Sequence, residues 1–204
     1  MGFSNFAFKL LVETQHENKN YRYDLSTLKS ITCGGELVHH NDLNNFIECF
    51  KPYQLNPASI IPAYGMTETC GVISGYKSTE NSYKTIDKTP HGSIIVSNGC
   101  VKDRTKIKIV DGKSGLDCKE GEIGYIHIAG DILSPGYLSP EMIQKIEKDE
   151  KYVSFDYATH EWLNSGDLGF IQDGELYIVG REKDILIIRG RKYNLVEIER
   201  IVCQ

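Results

Sequence analysis

Apolar positions near the N-terminus recur with a helical period. Between residues 41 and 50 they fall three and four apart, which predicts a helix capped by Asn41. The predicted buried stripe consists of Leu43, Phe46, Ile47 and Phe50. Residues 3–13 indicate a second helical segment with Phe6, Leu10 and Glu13 on one face.

Farther along the chain, short apolar runs between turn residues predict strands. We expect strands at residues 60–61, 106–110, 124–129 and 185–188. Asp173-Gly174 separates two further runs, 170–171 and 175–179, and this dipeptide is a strong hairpin signal. Two glycines surround Asp167 in the segment SGDLGF, which predicts a tight turn that presents a carboxylate.

Two segments depart from this strand pattern. Residues 74–91 are rich in Ser, Thr, Lys and Tyr with little apolar period, which predicts a surface loop or insertion. Residues 140–148 predict a helix with alternating charge. The fold class predicted is therefore mixed α/β. We expect a partial α/β subdomain over residues 1–97 and a β-rich subdomain over residues 98–182.

Composition narrows the class of partners. The 204 residues are 40% hydrophobic and carry a net charge of −5 with both signs interspersed, so no basic footprint for nucleic acid is present. The chain has no apolar run long enough to span a membrane. Its six cysteines show no C-x-x-C pair, which is typical of reduced thiols and favours a cytoplasmic location.

Three motifs occur in a fixed order along the chain. They are ITCGGELV at residues 31–38, IIPAYGMTE at residues 60–68, and SGDLGF followed by GREKDILIIRGRKYNLVEIE at residues 165–199. Together they resemble the adenylate-forming superfamily of acyl-CoA synthetases, adenylation domains and luciferases. The resemblance implies that this chain corresponds to the later part of that family's large N-terminal domain. It also implies a hinge and the start of a truncated C-terminal domain at residues 183–204.

By this resemblance, the chain belongs to an ATP-dependent ligase that activates a carboxylic acid as an acyl-adenylate and releases pyrophosphate. The resemblance implies that Tyr64 lies against adenine, Asp167 accepts hydrogen bonds from the ribose hydroxyls, and Arg181 donates to the ribose or steadies Asp167. Thr67 would offer its hydroxyl to a phosphate, and Glu68 would hold Mg²⁺.

Other motif positions border the same site in the family. The remaining residues that the resemblance implies are Gly34, Gly35, Glu36 and Gly65 around adenine and the acyl pocket, and Lys183 at the hinge. Taken singly, the polar residues also have ordinary structural interpretations: Tyr64 as a core aromatic, Glu68 as a surface charge, Asp167 as a turn former and Arg181 as a solvated strand end. Their joint order favours the functional interpretation.

Within the superfamily, the chain is most similar to fatty acyl-AMP ligases, which implies a fatty acid substrate and either CoA or an acyl carrier protein as acceptor. It departs from that branch at Met66-Thr67-Glu68, where the branch often has Leu-Ala-Glu. The family's phosphate loop and C-terminal lysine have no counterpart here, so we expect an internal piece of a longer enzyme. A catalytically incomplete nucleotide-binding remnant and an interaction fragment remain alternatives.

Overall fold

A computed structural model of the chain describes residues 2–18, 21–76, 82–87, 94–134, 162–188, 191–195, 198 and 202. The α-helices α1 (Asn5–Glu17) and α2 (His40–Phe50) lie in the first half of the chain. The strands of the first half are β1 (Gly2–Phe3), β2 (Ile31–Cys33), β3 (Ile60–Met66), β4 (Gly71–Gly75) and β5 (Thr85–Asp87). Those of the second half are β6 (Ile94–Val101), β7 (Thr105–Val110), β8 (Gly124–Gly130), β9 (Leu163–Gln172), β10 (Glu175–Arg181), β11 (Ile185–Ile188) and β12 (Arg191–Asn194).

Ten of these strands form one sheet in the order β1-β2-β3-β4-β6-β10-β9-β8-β7, with β5 added beside β6. Strands β1, β2 and β3 pair in parallel, whereas every pairing from β3–β4 onward is antiparallel. The remaining two strands, β11 and β12, form a separate antiparallel pair. The predicted mixed α/β class is confirmed.

Both helices belong to the parallel end of the sheet. Leu43, Phe46, Ile47 and Phe50 are all buried, so the apolar stripe predicted for α2 is confirmed. Burial of such a stripe supplies most of the stability of a helix of 11 residues. Asn41 is not its cap, because the helix begins one residue earlier and His39 occupies the N-cap position.

The face predicted for α1 is not the one that it buries. Phe8 is fully buried and its ring meets that of Phe46 edge to face at 4.8 Å between centroids. Phe6 and Leu10 are instead 68% and 48% exposed. The buried side chains of α1 include polar Asn5 and Gln15, which the apolar period could not reveal. Neither described helix has the length and apolar character needed to cross a membrane.

The antiparallel end packs around aromatic and aliphatic side chains from adjacent strands. The rings of Phe170 and Tyr177 stack at 4.9 Å between centroids, across the β9–β10 pairing. The hairpin predicted at Asp173-Gly174 is confirmed, and both residues have positive φ, 51° and 74°. Such turns match the twist of the strands that they join.

Two predicted segments are described only in part. Residues 74–91 are not wholly a loop, since they include the end of β4 and all of β5. The helix predicted at residues 140–148 lies outside the described residues. The boundary predicted at residue 97 falls within β6, and the one at residue 182 falls within a short 3-10 helix, Glu182–Asp184. The division into subdomains stays a prediction.

Candidate functional site

The sheet is irregular where its strands approach one cavity. Four described pairings contain a register shift, and each shift inserts extra residues into one strand. The shifts fall beside Tyr64 in the β3–β4 pair, at residues 98–99 of β6, at residues 165–167 of β9 and at Val179 of β10. Bulges of this kind redirect side chains and are common beside active sites.

Residues of β3, β6, β9 and β10, together with the segment that follows β2, line a cavity of about 360 Å³. This volume lies within the range of small-molecule binding sites. Apolar and charged groups share its wall. The lining residues include Glu36, Tyr64, Asn98, Asp167, Ile178 and Arg181.

Tyr64, Asp167 and Arg181 form a hydrogen-bonded cluster on the cavity wall. The Tyr64 hydroxyl donates to Oδ2 of Asp167 at 2.6 Å, and Nε of Arg181 donates to Oδ1 at 2.7 Å. Asp167 and Arg181 are directly opposite each other in the β9–β10 register. The Asp167 side chain is only 3% exposed, whereas that of Arg181 is 61% exposed. The carboxylate is therefore a buried centre with a cation at its open side.

The charges of this cluster stabilise one another. Burial raises the pKa of the Tyr64 hydroxyl, and the adjacent Asp167 carboxylate raises it further. The charge of Asp167 also raises the pKa of the Arg181 guanidinium. Tyr64 is consequently a neutral donor and Arg181 a cation at any physiological pH. Each carboxylate oxygen has two acceptor positions, so Asp167 keeps acceptor capacity for a ligand.

The segment SGDLGF does not form the predicted tight turn. It lies inside β9, where two extra residues separate the partners of Tyr125 and His127 on β8. Gly166 has φ of 73°, and the Ser165 hydroxyl accepts from the Asp167 amide at 3.1 Å while donating to the Ile126 carbonyl at 2.9 Å. The extra residues are thus absorbed as a bulge, which turns the Asp167 side chain toward the cavity.

Another part of the wall is held by the first residues of α1. Asn5 is 5% exposed, and its side-chain amide donates to the Leu37 carbonyl and accepts from the His39 amide at 3.2 Å. The backbone amide of Phe6 donates to Glu36 Oε1 at 3.2 Å. These contacts fix the loop that follows β2 against the helix, so the loop meets the cavity in a defined position.

The structure brings together six of the residues predicted for the site. The predicted residues that line the cavity are Gly35, Glu36, Tyr64, Gly65, Asp167 and Arg181. Those that lie outside its lining are Gly34, Thr67, Glu68 and Lys183. Thr67 and Glu68 follow Tyr64 directly, in a 3-10 turn where Thr67 is exposed and Glu68 half-buried. Lys183 is exposed in the turn after Arg181.

Gly65 has a packing role that motif order does not reveal. A Cβ atom at this position would lie 2.0 Å from the carbonyl oxygen of Gly71 on β4. No side chain fits there without separating the two strands. The glycine therefore allows β3 and β4 to approach closely at the cavity wall.

Several lining residues were absent from the sequence prediction, notably Asn98, Ile178 and Asp184. Asp184 lies within the GREKD motif, so the motif itself could have suggested it. The Asn98-Gly99 dipeptide is a recognised backbone signal for positive φ, and it could have indicated the bulge in β6. Ile178 alternates with its neighbours like any core residue, and no local signal marks it.

The chain belongs to the family of AMP-binding enzymes, whose family model matches residues 2–138, more than half of the chain. Among curated proteins, it is 31% identical to the long-chain-fatty-acid–AMP ligase FadD26 of Mycobacterium tuberculosis. That match covers 97% of this chain and 37% of FadD26. The predicted superfamily membership is confirmed.

Solved structures extend the likeness to the fold. A fatty acyl-adenylate ligase, from work on the E. coli and L. pneumophila enzymes, matches with a TM-score of 0.81 at 26% identity, over 98% of this chain and 37% of that one. The McyG adenylation–carrier protein unit complexed with phenylalanyl-adenylate matches with a TM-score of 0.74 at 32% identity, over 98% of this chain and 33% of that one. The described fold is therefore that of part of an adenylate-forming enzyme. The chain spans just over a third of the length of the relatives that it matches.

Proposed function

We propose that the cavity binds the AMP moiety of an acyl-adenylate, and that the chain is part of a ligase that forms this intermediate from ATP and a carboxylic acid. In that reaction a carboxylate oxygen attacks the α-phosphorus, the bond to the β-phosphate oxygen breaks, and pyrophosphate leaves. The observation that carries the proposal is the Tyr64–Asp167–Arg181 cluster on the wall of the cavity.

The cluster suits a nucleoside. Asp167 would accept from the two ribose hydroxyls with its remaining acceptor positions, a role for which a carboxylate held by two donors is well prepared. Arg181 uses Nε for Asp167, and its other donors make no hydrogen bond to a described residue. They would reach the ribose. Tyr64 would present its ring to adenine while its hydroxyl holds Asp167 in place.

The phosphate side would be served by the turn that follows Tyr64. Thr67 would donate its hydroxyl to a phosphate oxygen, and Glu68 would hold Mg²⁺. No cluster of three metal-binding side chains exists within the described part of the chain. One carboxylate is compatible with magnesium nonetheless, because Mg²⁺ commonly binds through one or two carboxylates and the substrate's phosphates. When bound, the ion would neutralise phosphate charge.

The remaining predicted residues complete the proposal. Gly34, Gly35 and Glu36 would border adenine and the acyl pocket. Gly65 would allow β3 and β4 to lie close together beside them. Lys183 would belong to the hinge toward the remainder of the enzyme. It follows Arg181 by two residues, so movement at the hinge would be felt directly at the ribose contact.

A fatty acid is the substrate that we propose, with CoA or an acyl carrier protein as acceptor. The support is the similarity to a long-chain-fatty-acid–AMP ligase and to fatty acyl-adenylate ligases. The net charge of −5 offers no footprint for nucleic acid. A cytoplasmic location is proposed from the cysteine pattern, and no disulfide is formed by Cys33, Cys49, Cys70, Cys100 or Cys118.

The proposal is tested by titrating AMP into the 204-residue chain in a calorimeter, beside the variants Asp167→Asn and Asp103→Asn. Removing the charge of Asp167 weakens hydrogen bonds to a charged acceptor, so we expect a loss of about 10- to 100-fold in affinity. Asp103 lies in an exposed turn and its variant should bind like the wild type. Absence of AMP binding, or equal affinities in all three proteins, would reject the proposal.

A second candidate function, an interaction fragment, is favoured by the outer face of α1. Phe6 and Leu10 are one helical turn apart and both largely exposed. This version predicts concentration-dependent association in sedimentation experiments, which Phe6→Glu should abolish. It also predicts that AMP has no effect on thermal stability, so the same protein preparation separates it from the ligase proposal.

A further inference from the structure

Asn98 is a buried polar residue on the cavity wall. It is 4% exposed and lies on β6, between the strands that carry Tyr64 and Arg181. Its side-chain amide makes no hydrogen bond to any described residue, and Asn98 is among the residues that line the cavity. An amide on a cavity wall that makes no hydrogen bond to the described part of the chain can pair its donors and its acceptor with polar atoms of a ligand.

The backbone around Asn98 is built to aim this side chain. The β6–β10 register shifts between residues 97 and 100, which inserts one extra residue at Asn98-Gly99. Gly99 has φ of 73°, and a Cβ there would lie 2.3 Å from the carbonyl carbon of Gly75. The Ser97 hydroxyl accepts from the Gly99 amide at 3.0 Å and donates to the buried Glu175 carboxylate at 2.6 Å. The bulge is therefore fixed by buried hydrogen bonds.

The chemistry of Asn98 differs from that of the charged groups at the site. Glu36, Asp167 and Asp184 accept only, and Arg181 donates only, whereas a primary amide does both from adjacent atoms. This pattern complements adenine, which presents an amino donor beside a ring-nitrogen acceptor. Asparagine pairs with adenine in this bidentate way in protein–DNA complexes.

We infer that Asn98 recognises the base of the nucleotide, by pairing its amide with the exocyclic amine and the neighbouring ring nitrogen of adenine. Asn98 is thus a specificity-determining residue, distinct from the Tyr64–Asp167–Arg181 cluster, which would hold the base face and the ribose. The inference rests on the proposed function, since it requires an adenine nucleotide in this cavity.

The test compares AMP with purine riboside 5′-monophosphate, which lacks only the amine, by calorimetric titration of the 204-residue chain. The wild type should prefer AMP by about tenfold, the value of one neutral hydrogen bond. Asn98→Ala should bind both ligands alike, within about twofold, because the partner of the amine has been removed. Asn98→Asp keeps the size of the side chain but loses both N–H donors, so its affinity for AMP should be lower than that of the wild type. Asn41→Ala, at an exposed position of α2, is the matched control and should retain the preference.

The possible outcomes test the inference about Asn98 separately from the proposed AMP-binding function. If Asn98→Ala keeps the full preference for AMP, or the wild type has none, the inference is overturned. Loss of AMP affinity in Asp167→Asn would still uphold the proposed function in that case. If the wild type binds neither ligand, both the inference about Asn98 and the proposed function are rejected. Circular dichroism melting of each variant establishes that folded protein is being compared.

Discussion

Two buried carboxylates in adjacent strands have nearly the same partners but different surroundings. Asp167 on β9 receives a tyrosine hydroxyl and an arginine, and Glu175 on β10 receives the Tyr76 hydroxyl and Nζ of Lys84 at 2.7 Å. Their side chains are 3% and 6% exposed, and each cation is more than half exposed. Asp167 lines the cavity, whereas Glu175 does not.

The two carboxylates differ in how many hydrogen-bond acceptor positions remain free of protein donors. Glu175 also accepts from the Ser97 hydroxyl on β6, while Tyr76 directly follows β4 and Lys84 directly precedes β5. Its hydrogen bonds therefore join parts of the sheet. Asp167 receives fewer donors and faces open space. A buried, hydrogen-bonded acid is therefore not in itself a functional site. What distinguishes the two is whether acceptor positions remain on the side of a cavity.

The largest expected effect is on stability at Glu175. Replacing it with Ala removes a charge that Tyr76, Ser97 and Lys84 surround, and the free energy of unfolding should fall by about 2–4 kcal/mol. Urea unfolding followed by circular dichroism measures this change. The affinity for AMP per folded molecule should change by less than about threefold. A large loss of affinity without a loss of stability would reverse the roles assigned to the two acids.

Asp167→Asn should lower the affinity for AMP more than it lowers stability, the opposite of Glu175→Ala. The amide keeps the size of the side chain, so we expect a stability loss of only about 1 kcal/mol, with the main effect on AMP affinity. Measuring both quantities on the same preparations as Glu175→Ala makes the comparison direct. Equal stability losses in the two variants would mean that Asp167 is as structural as Glu175.

The stability due to Glu175 should depend on pH. Burial would raise the pKa of this carboxyl, but hydrogen bonds from Lys84, Ser97 and Tyr76 outweigh it and hold the pKa below its ordinary value of 4.5. A lowered pKa in the folded state stabilises the protein above pH 4.5, and this contribution is lost as the pH falls through the folded-state pKa. Urea midpoints from pH 7 to pH 3 should fall more steeply for the wild type than for Glu175→Gln. Parallel curves would contradict this assignment.

The smallest effect is expected at Asn5, which acts on the cavity from outside its lining. Asn5→Ala leaves the Leu37 carbonyl and the His39 amide without their side-chain partner, so the loop after β2 should loosen. We expect a three- to tenfold loss of AMP affinity, equivalent to about 1 kcal/mol. Amide hydrogen exchange should accelerate in residues 34–39. Faster exchange spread over the whole chain would indicate general destabilisation instead.

Much of the local structure was predictable, because it depends on neighbours in sequence. The stripe of α2 follows from apolar spacing, and the hairpin at Asp173-Gly174 follows from residues that tolerate positive φ. Prediction failed where a distant partner decides the outcome. Phe6 is exposed and Asn5 buried because of what the segment after β2 places beside α1, which no helical period encodes.

The motif order by itself determined the family and named Tyr64, Asp167 and Arg181, since these side chains carry chemistry that few other residue types supply. Only the tertiary structure decided how they meet. Tyr64 and Asp167 are 103 positions apart in sequence, and they meet in a sheet where the bulges of β6 and β9 place Asn98 and Asp167 at the same cavity. A bulge is a mismatch of register between two strands, so it exists only once both are paired. For the same reason Asn98 became a candidate only in the folded chain.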